Sequence, residues 1–410
     1  MISEQSLKIV KATAPVVGAH AEQITRRFYQ LLFAAYPQVL AYFNPAHQQS
    51  GTQQQALAGA ICAYAANIDN LGALGNAVEL IAQKHCSLGI QPEHYPLVGE
   101  QLLIAVKDVL GDAVTPEVTA AWAEAYGQLA DIFIQREQEI YRGQLERPGG
   151  WNGYRRFRVT RKKAESEIVS SFYLQPEDGG ELPHYHPGQY VTVRIQHPTV
   201  PTSPRNYSLS DRPGLDYFRI SVKREPNPQP ETPAGLVSNY LHDQIHEGDV
   251  IELGPPCGEF VLPAERTAER PLVFLAGGIG ITPLLSMLKH LGHVNASTPI
   301  HFLQAARNSV VHALGHEVRG IVESLSNVNY HVRYNDPLHD DLEEGRCHSV
   351  GMIDQEFLKG FVPTLDADFY FCGPKPFMVG VHRQLREWGV DPAQLHFEFF
   401  GPRQEIAGVA

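Results

Sequence analysis

Up to about residue 147, apolar side chains recur three and four positions apart. Val78, Ile81, His85 and Leu88 form one stripe, and Gln53, Leu57, Ile61, Tyr64 and Ile68 a second. Val118, Trp122, Ala125, Leu129, Ile132 and Phe133 form a third. This spacing puts each set on one face of a helix. The third set opens a long helix that Thr115 caps, with Pro116 in the first turn, where its missing N–H is no loss. The first part of the chain therefore reads as all-α.

Pro148-Gly149-Gly150 ends this regime, since proline followed by two glycines stops a helix and frees the backbone to turn. Only six of the thirty prolines precede residue 148. Short β-rich runs follow: Phe157 to Thr160, Ile168 to Leu174, Tyr190 to Ile195, Asn206 to Ser210, Tyr217 to Val222 and Asp249 to Leu253. Turn residues separate them, as in an antiparallel barrel. From Pro271 the rhythm becomes strand then helix: Leu272 to Ala276 into Pro283 to Leu291, Ile300 to Ala305, a helix near Glu317 to Leu325, Asn329 to Tyr334, and Phe369 to Cys372 into Pro376 to Trp388. That alternation predicts a parallel sheet covered by helices. The expected fold is multidomain: all-α over 1–147, an antiparallel β-barrel over 151–264 and an α/β parallel-sheet domain over 265–410. A chain of 410 residues suits two or three domains of about 150.

Composition narrows the function classes. The net charge of −12 argues against nucleic acid as a partner. The five cysteines are scattered without C-x-x-C spacing, so neither a disulfide framework nor a zinc ribbon is written here, and a reducing cytoplasm fits. Residues Met1 to Lys11 carry no secretory pattern. The longest uncharged apolar stretch, Pro271 to Leu288, is broken by Gly277, Gly278, Gly280 and Pro283 and reads as strand, turn and helix start, not a transmembrane span. A soluble cytoplasmic monomer is expected.

Three segments carry chemistry. Arg205-Asn206-Tyr207-Ser208 offers a fixed cation, a flat aromatic face and a small hydroxyl at the start of a predicted strand. A flavin nucleotide needs all three, for its pyrophosphate, its ring and its N5. An exposed basic strand end would look the same in isolation. Gly277-Gly278-Ile279-Gly280-Ile281-Thr282-Pro283 follows a buried strand and opens a helix, where glycines let backbone N–H groups approach dinucleotide phosphates. Phe369-Tyr370-Phe371-Cys372-Gly373-Pro374 ends another strand of that sheet, whose carboxyl edge would face a nicotinamide.

R-x-Y-S, then G-x-G-x-x-P, then C-G-P, on a barrel and a parallel sheet, resembles the flavin domains of the ferredoxin-NADP reductase family. The resemblance implies that Arg205, Asn206, Tyr207 and Ser208 hold FAD, with Tyr190 a further aromatic on it. It implies that Gly278, Ile279, Gly280, Ile281, Thr282 and Pro283, with Cys372, Gly373 and Pro374, bind NAD(P)H. The last predicted strand, His396 to Pro402, would bring Glu398, Phe399, Phe400, Gly401 and Pro402 to the isoalloxazine; some members carry cysteine where Phe399 stands. Cys257, in a turn where a small residue is usual, reads as structural.

His85 is either a hydrogen-bonded core residue or an imidazole facing a haem iron. The run from Lys84 to Tyr95 resembles the F-helix to G-helix passage of the bacterial flavohaemoglobins, and this resemblance spans essentially the whole chain. It implies a globin domain holding haem b, with His85 as iron ligand, Tyr29, Gln53 and Leu57 on the distal side and Phe43 stacked on the haem. Tyr29 shares a helix with Ile24 and Leu32, so an inward phenol could donate a hydrogen bond to bound oxygen. Gln53 and Leu57 lie four apart on one face. Glu137 continues the face of Phe133 and Ile140 but sits beside Arg136 and Glu139, so an inward carboxylate and a solvated helix end both fit. The resemblance assigns Tyr95 and Glu137 to a network on the second nitrogen of His85, where a carboxylate strengthens the donor character of the ring. It gives Lys84 a part in tuning the haem.

A nicotinamide delivers electrons in pairs, haem iron takes them singly and a flavin does both. The expected activity is an NAD(P)H-dependent nitric oxide dioxygenase that turns NO and O2, its small-molecule partners, into nitrate. A haem-based oxygen sensor or carrier would leave the reductase half without a task. A flavin reductase or diaphorase would leave the helical part without one.

Overall fold

The periodic residues of the first part lie on α1 (Glu4–Ala19), α2 (Ala21–Ala35), α3 (Thr52–Ala66), α4 (Gly75–Leu88), α5 (His94–Leu110) and α6 (Pro116–Glu146) in the computed structural model. The structure describes residues 2–44, 48, 51–197, 202–226, 234–263 and 270–400. Most of the chain divides into two compact units, one over Met1–Tyr154 and the other over Arg155–Ile195 and Arg205–Gly401. Thr115 caps α6 by accepting the Val118 N–H at 3.4 Å, as the sequence predicts. Gly89 ends α4 with φ +79°, a conformation glycine adopts without strain. Ile68, expected on the stripe of α3, is buried but lies beyond the end of that helix at Ala66. Asn67 terminates the helix first.

In the helical unit α2 packs on α3 and α5, while α1 and α4 both pack along α6. Apolar side chains divide into two clusters. One is built on Val10, Ile24, Phe28, Tyr29, Leu32, Trp122 and Ala125, with Phe43 and Leu57 packed against it. The other gathers Ala82, Cys86, Tyr95, Phe133 and Ile140. Among the described residues no helix is long and apolar enough to cross a membrane.

The second unit contains two sheets. Strands β1 (Arg155–Ala164), β2 (Val169–Pro176), β3 (Tyr190–Arg194), β4 (Arg205–Ser208), β5 (Phe218–Lys223) and β6 (Val250–Leu253) pair antiparallel in the order β4-β3-β6-β1-β2-β5. A bridge between Leu209, just past β4, and Ile220 in β5 joins the two ends of that order, which closes the sheet on itself. Helix α7 (Leu236–Gln244), which sequence reading leaves out, precedes β6.

The second sheet runs β10-β9-β8-β7-β11-β12, parallel throughout. Its strands are β7 (Leu272–Gly277), β8 (Ile300–Ala306), β9 (Val328–Tyr334), β10 (Ser349–Val350), β11 (Asp368–Cys372) and β12 (Leu395–Glu398). Helices α8 (Ile281–His293), α9 (Gly315–Val322), α10 (His339–Glu343), α11 (Gln355–Phe361) and α12 (Lys375–Trp388) connect them. β7 has β8 on one side and β11 on the other, so strand order reverses at β7. Crevices that take ligands open at the carboxyl ends of strands at such a reversal. The expected boundary at 264/265 falls outside the described residues.

Candidate functional site

In the helical unit, α4, α5 and α6 converge on one hydrogen-bonded trio. His85 Nδ1 lies 2.7 Å from Glu137 Oε1 and 3.1 Å from the Tyr95 hydroxyl, and that hydroxyl donates to the same Glu137 oxygen at 2.5 Å. Glu137 is 2% exposed, so the inward alternative is the one realised. A carboxylate accepts, so the Nδ1–H of His85 points at Glu137, and in the neutral ring this tautomer leaves the lone pair on Nε2, the form in which imidazole ligates a metal. Burial, reinforced by Glu137, pushes the Tyr95 phenol far above its ordinary range, so it stays a donor.

Two residues that sequence reading misses hold this trio. Tyr126 donates to the backbone carbonyl of Tyr95 at 2.7 Å. Its ring lies so close to Gly99 that a Cβ there would fall 2.5 Å from Tyr126 Cε1. The signal is a contact between α5 and α6, which no local pattern contains. Lys84 is exposed on α4 beside His85.

On α2, Tyr29 is buried with its ring 5.5 Å from Phe43 in an edge contact and 4.9 Å from Phe28. Burial raises its phenol to about 12, with a hydrogen bond from Gln53 acting the other way. Tyr29, Phe43, Gln53 and Leu57 are thus brought together, with Leu57 one turn after Gln53 on α3. A neutral phenol and an amide among apolar walls, together with a histidine whose Nδ1 is engaged by Glu137, fit a haem and a diatomic ligand.

In the barrel, the pairing of β3 with β4 sets the flavin motif. Tyr190 faces Ser208, Val191 faces Tyr207, Thr192 faces Asn206 and Val193 faces Arg205. Arg205 and Tyr207 therefore share one face and Asn206 and Ser208 the other. Burial lowers the Arg205 guanidinium and pushes the Tyr207 phenol up strongly. The Ser208 hydroxyl is buried and, among the described residues, has no hydrogen-bond partner, a group that an incoming flavin would satisfy. Asn206 accepts from Thr192 Oγ1 at 3.1 Å, a bond within the sheet. Tyr190 and Cys257 exchange backbone hydrogen bonds at 2.9 Å, and Cys257 is fully buried, in line with a structural part.

The carboxyl ends of β7 and β11 meet, with Ala276 in register with Cys372. A Cβ at Gly280 would fall 2.1 Å from the Cys372 carbonyl oxygen, and one at Gly373 would fall 2.6 Å from Phe377 Cδ1. Only glycines allow this joint. Gly278, with φ +52°, has open space where a Cβ would stand, a cradle suited to phosphate oxygens at the start of α8. Ile281, Thr282 and Pro283 are buried, and Ile279 packs against the core beneath. Pro374 caps α12. Cys372 faces Glu398 across β11 and β12, and its thiol is raised by burial and then by that carboxylate. Phe399 packs at the edge of the core cluster beneath β11, and Phe400 is half exposed. Gly401 and Pro402 lie outside the described residues.

Comparison with known proteins agrees with this division. A globin model matches residues 26–133, an oxidoreductase FAD-binding domain matches 156–262 and an oxidoreductase NAD-binding domain matches 274–383. The chain is 58% identical to a flavohemoprotein of Rhodopirellula baltica over all of both chains. It is 46% identical to one of Halalkalibacterium halodurans, over 99% of this chain and 98% of that one. A crystal structure of flavohemoglobin from Malassezia yamatoensis with bound FAD and heme superposes with a TM-score of 0.85 at 25% identity, covering 98% of this chain and all of that one. The FAD/NAD binding domain of nitric oxide dioxygenase from Vibrio cholerae aligns over 60% of this chain and 99% of its own, at 35% identity and a TM-score of 0.54. With its whole length matched by such relatives, the chain belongs to the flavohemoproteins.

Proposed function

We propose that this protein is an NAD(P)H-dependent nitric oxide dioxygenase that turns NO and O2 into nitrate. It works as a globin domain over 1–147, an FAD barrel over 151–264 and an NAD(P)H domain over 265–410. The single observation that supports this most is His85, whose Nδ1 proton is held by the buried Glu137 carboxylate, in one chain with a barrel and a dinucleotide sheet. An oxygen carrier has no use for the last two. When bound, FAD turns the electron pair of NAD(P)H into single electrons, and haem b supplies an iron that takes them together with O2.

The residues divide the work. His85 would hold the iron, while Glu137 and Tyr95 keep the ring oriented and electron-rich. Tyr29, protonated at every working pH because burial raises it to about 12, would donate a hydrogen bond to bound oxygen, with Gln53 beside it and Leu57 and Phe43 limiting the space. Arg205 and Tyr207 would take the flavin pyrophosphate and ring, and Ser208 a ring heteroatom. Gly278 and Gly280 would admit the dinucleotide phosphates, with Cys372 and Glu398 nearby. The five cysteines, none of them in a disulfide, support a cytoplasmic setting.

The test is the variant His85→Ala in full-length protein. It loses NO consumption while NAD(P)H oxidation with a small artificial electron acceptor persists. A His85→Ala protein that still consumes NO at the wild-type rate overturns the reading.

A further inference from the structure

The barrel and the nucleotide sheet are joined by a buried cluster of charges outside every motif above. Arg219 of β5, 1% exposed, donates from Nη1 to Glu317 Oε1 at 2.7 Å, from Nε to Ser210 Oγ at 3.0 Å, and from Nη2 to the Ser210 carbonyl. Lys289 of α8 bridges Asp211 Oδ2 at 3.0 Å and Glu317 Oε2 at 2.5 Å. The Asp211 carbonyl accepts from Tyr185 at 2.5 Å and Ser286 at 2.6 Å, and its carboxylate accepts from Tyr217 at 3.2 Å. Two cations meet two anions, with hydroxyls filling the remaining positions.

Beside this cluster, ligand atoms of Glu165, His316 and Glu317 converge within 4.8 Å. The ammonium of Lys163 already stands there, 3.0 Å from Glu165 Oε2 and 2.9 Å from His316 Nε2. This second group is therefore part of the ion network, not a metal centre, and it ties α9 to the end of β1.

Stability alone is a weak reason for such a cluster, since well-packed apolar side chains would serve as well as a buried ion network. Its placement supplies a better one. Asp211 follows Ser208, the end of β4 that would face a flavin, by three residues. Ser286 and Lys289 lie on α8, the helix that the Gly278–Gly280 turn opens. The network thus ties the strand end that would touch the flavin to the helix that would hold the dinucleotide.

We propose that Arg219, Asp211, Lys289 and Glu317 are positioning residues that fix the nicotinamide against the flavin for hydride transfer. The proposal rests on the flavin reductase reading above. The step it serves moves a hydride, a proton with its electron pair, from nicotinamide C4 to the flavin, so NAD(P)H is oxidised as FAD is reduced. A displacement of about 1 Å in such a geometry can cost on the order of 10²-fold in rate.

The experiment uses full-length holoprotein under anaerobic conditions. Lys289→Gln and Glu317→Gln lower the limiting rate of flavin reduction by roughly tenfold or more. They also weaken the charge-transfer absorption between reduced FAD and NAD+, at unchanged FAD content, and Lys289→Arg restores both readouts. Should Glu317→Gln fail to fold, Lys289→Gln and Ser286→Ala decide. Variants with a wild-type rate and charge-transfer band, even with lowered thermal stability, overturn the proposal. Wild-type protein whose flavin is not reduced by either nucleotide overturns the reductase reading instead.

Discussion

Glu137 Oε1 receives the Nδ1 proton of His85 at 2.7 Å and the phenol proton of Tyr95 at 2.5 Å, so one buried oxygen fixes the tautomer and the tilt of the imidazole. Glu137→Gln keeps an acceptor but removes the charge. A charge-assisted hydrogen bond exceeds a neutral one by about 1 kcal/mol, which for a one-electron couple is about 40 mV. The haem midpoint potential of Glu137→Gln therefore rises by about that amount in a redox titration. An unchanged potential contradicts the role given to the carboxylate.

Tyr29 is the distal donor in this account. Tyr29→Phe keeps the ring packed against Phe43 and Phe28 but removes the O–H. Loss of one hydrogen bond of about 1–1.5 kcal/mol raises the O2 dissociation rate about tenfold in stopped-flow measurements. An unchanged rate rules the bond out.

Gly99 is required for the approach of Tyr126. Gly99→Ala places a Cβ 2.5 Å from the Tyr126 ring, which must move away from the Tyr95 carbonyl it holds. Overpacking of this kind destabilises by about 1–3 kcal/mol. The thermal unfolding temperature of the helical unit falls, and the haem absorption spectrum shifts with it.

Gly280→Ala tests the nucleotide joint. The added Cβ meets the Cys372 carbonyl at 2.1 Å, backbone that cannot rotate away. NAD(P)H-driven flavin reduction falls steeply while FAD content stays at the wild-type level, as measured by absorbance. Equal loss of FAD would mean that the joint supports the barrel instead.

Burial alone would raise the Glu317 carboxyl, but Arg219 and Lys289 outweigh it and hold the group at about 2 instead of 4.5. A pKa depressed on folding stabilises above the unfolded value and loses that contribution as pH falls toward the folded one. The reductase unit therefore loses on the order of 2–3 kcal/mol between about pH 5 and pH 2 through this group. Acid titrations of unfolding check this, and Glu317→Gln shows a flatter profile.

Helices and strands were legible where a local period repeats. The Thr115 cap, the stripe through His85 and the alternation beyond Pro271 each need only a few neighbouring residues to be read. The glycine turn and Arg205 to Ser208 were legible for the same reason. The side of α6 on which Glu137 would lie was not, because Phe133 and Ile140 argue inward and Arg136 and Glu139 outward. Tyr95, reaching in from α5, decides it. Tyr126, Phe377 and the Arg219 network were invisible, since each acts through contacts between elements far apart in sequence. The short elements α7, β10 and α11 are too brief for a period to stand out.

The measurement closest to the central claim follows NO, O2 and NAD(P)H together in the presence of full-length protein replete with haem and FAD. The account predicts NO consumed only when O2 and NADH or NADPH are both present, with one nitrate formed for each NO. Consumption of NADH or NADPH with NO untouched, or NO loss without nitrate, would contradict it.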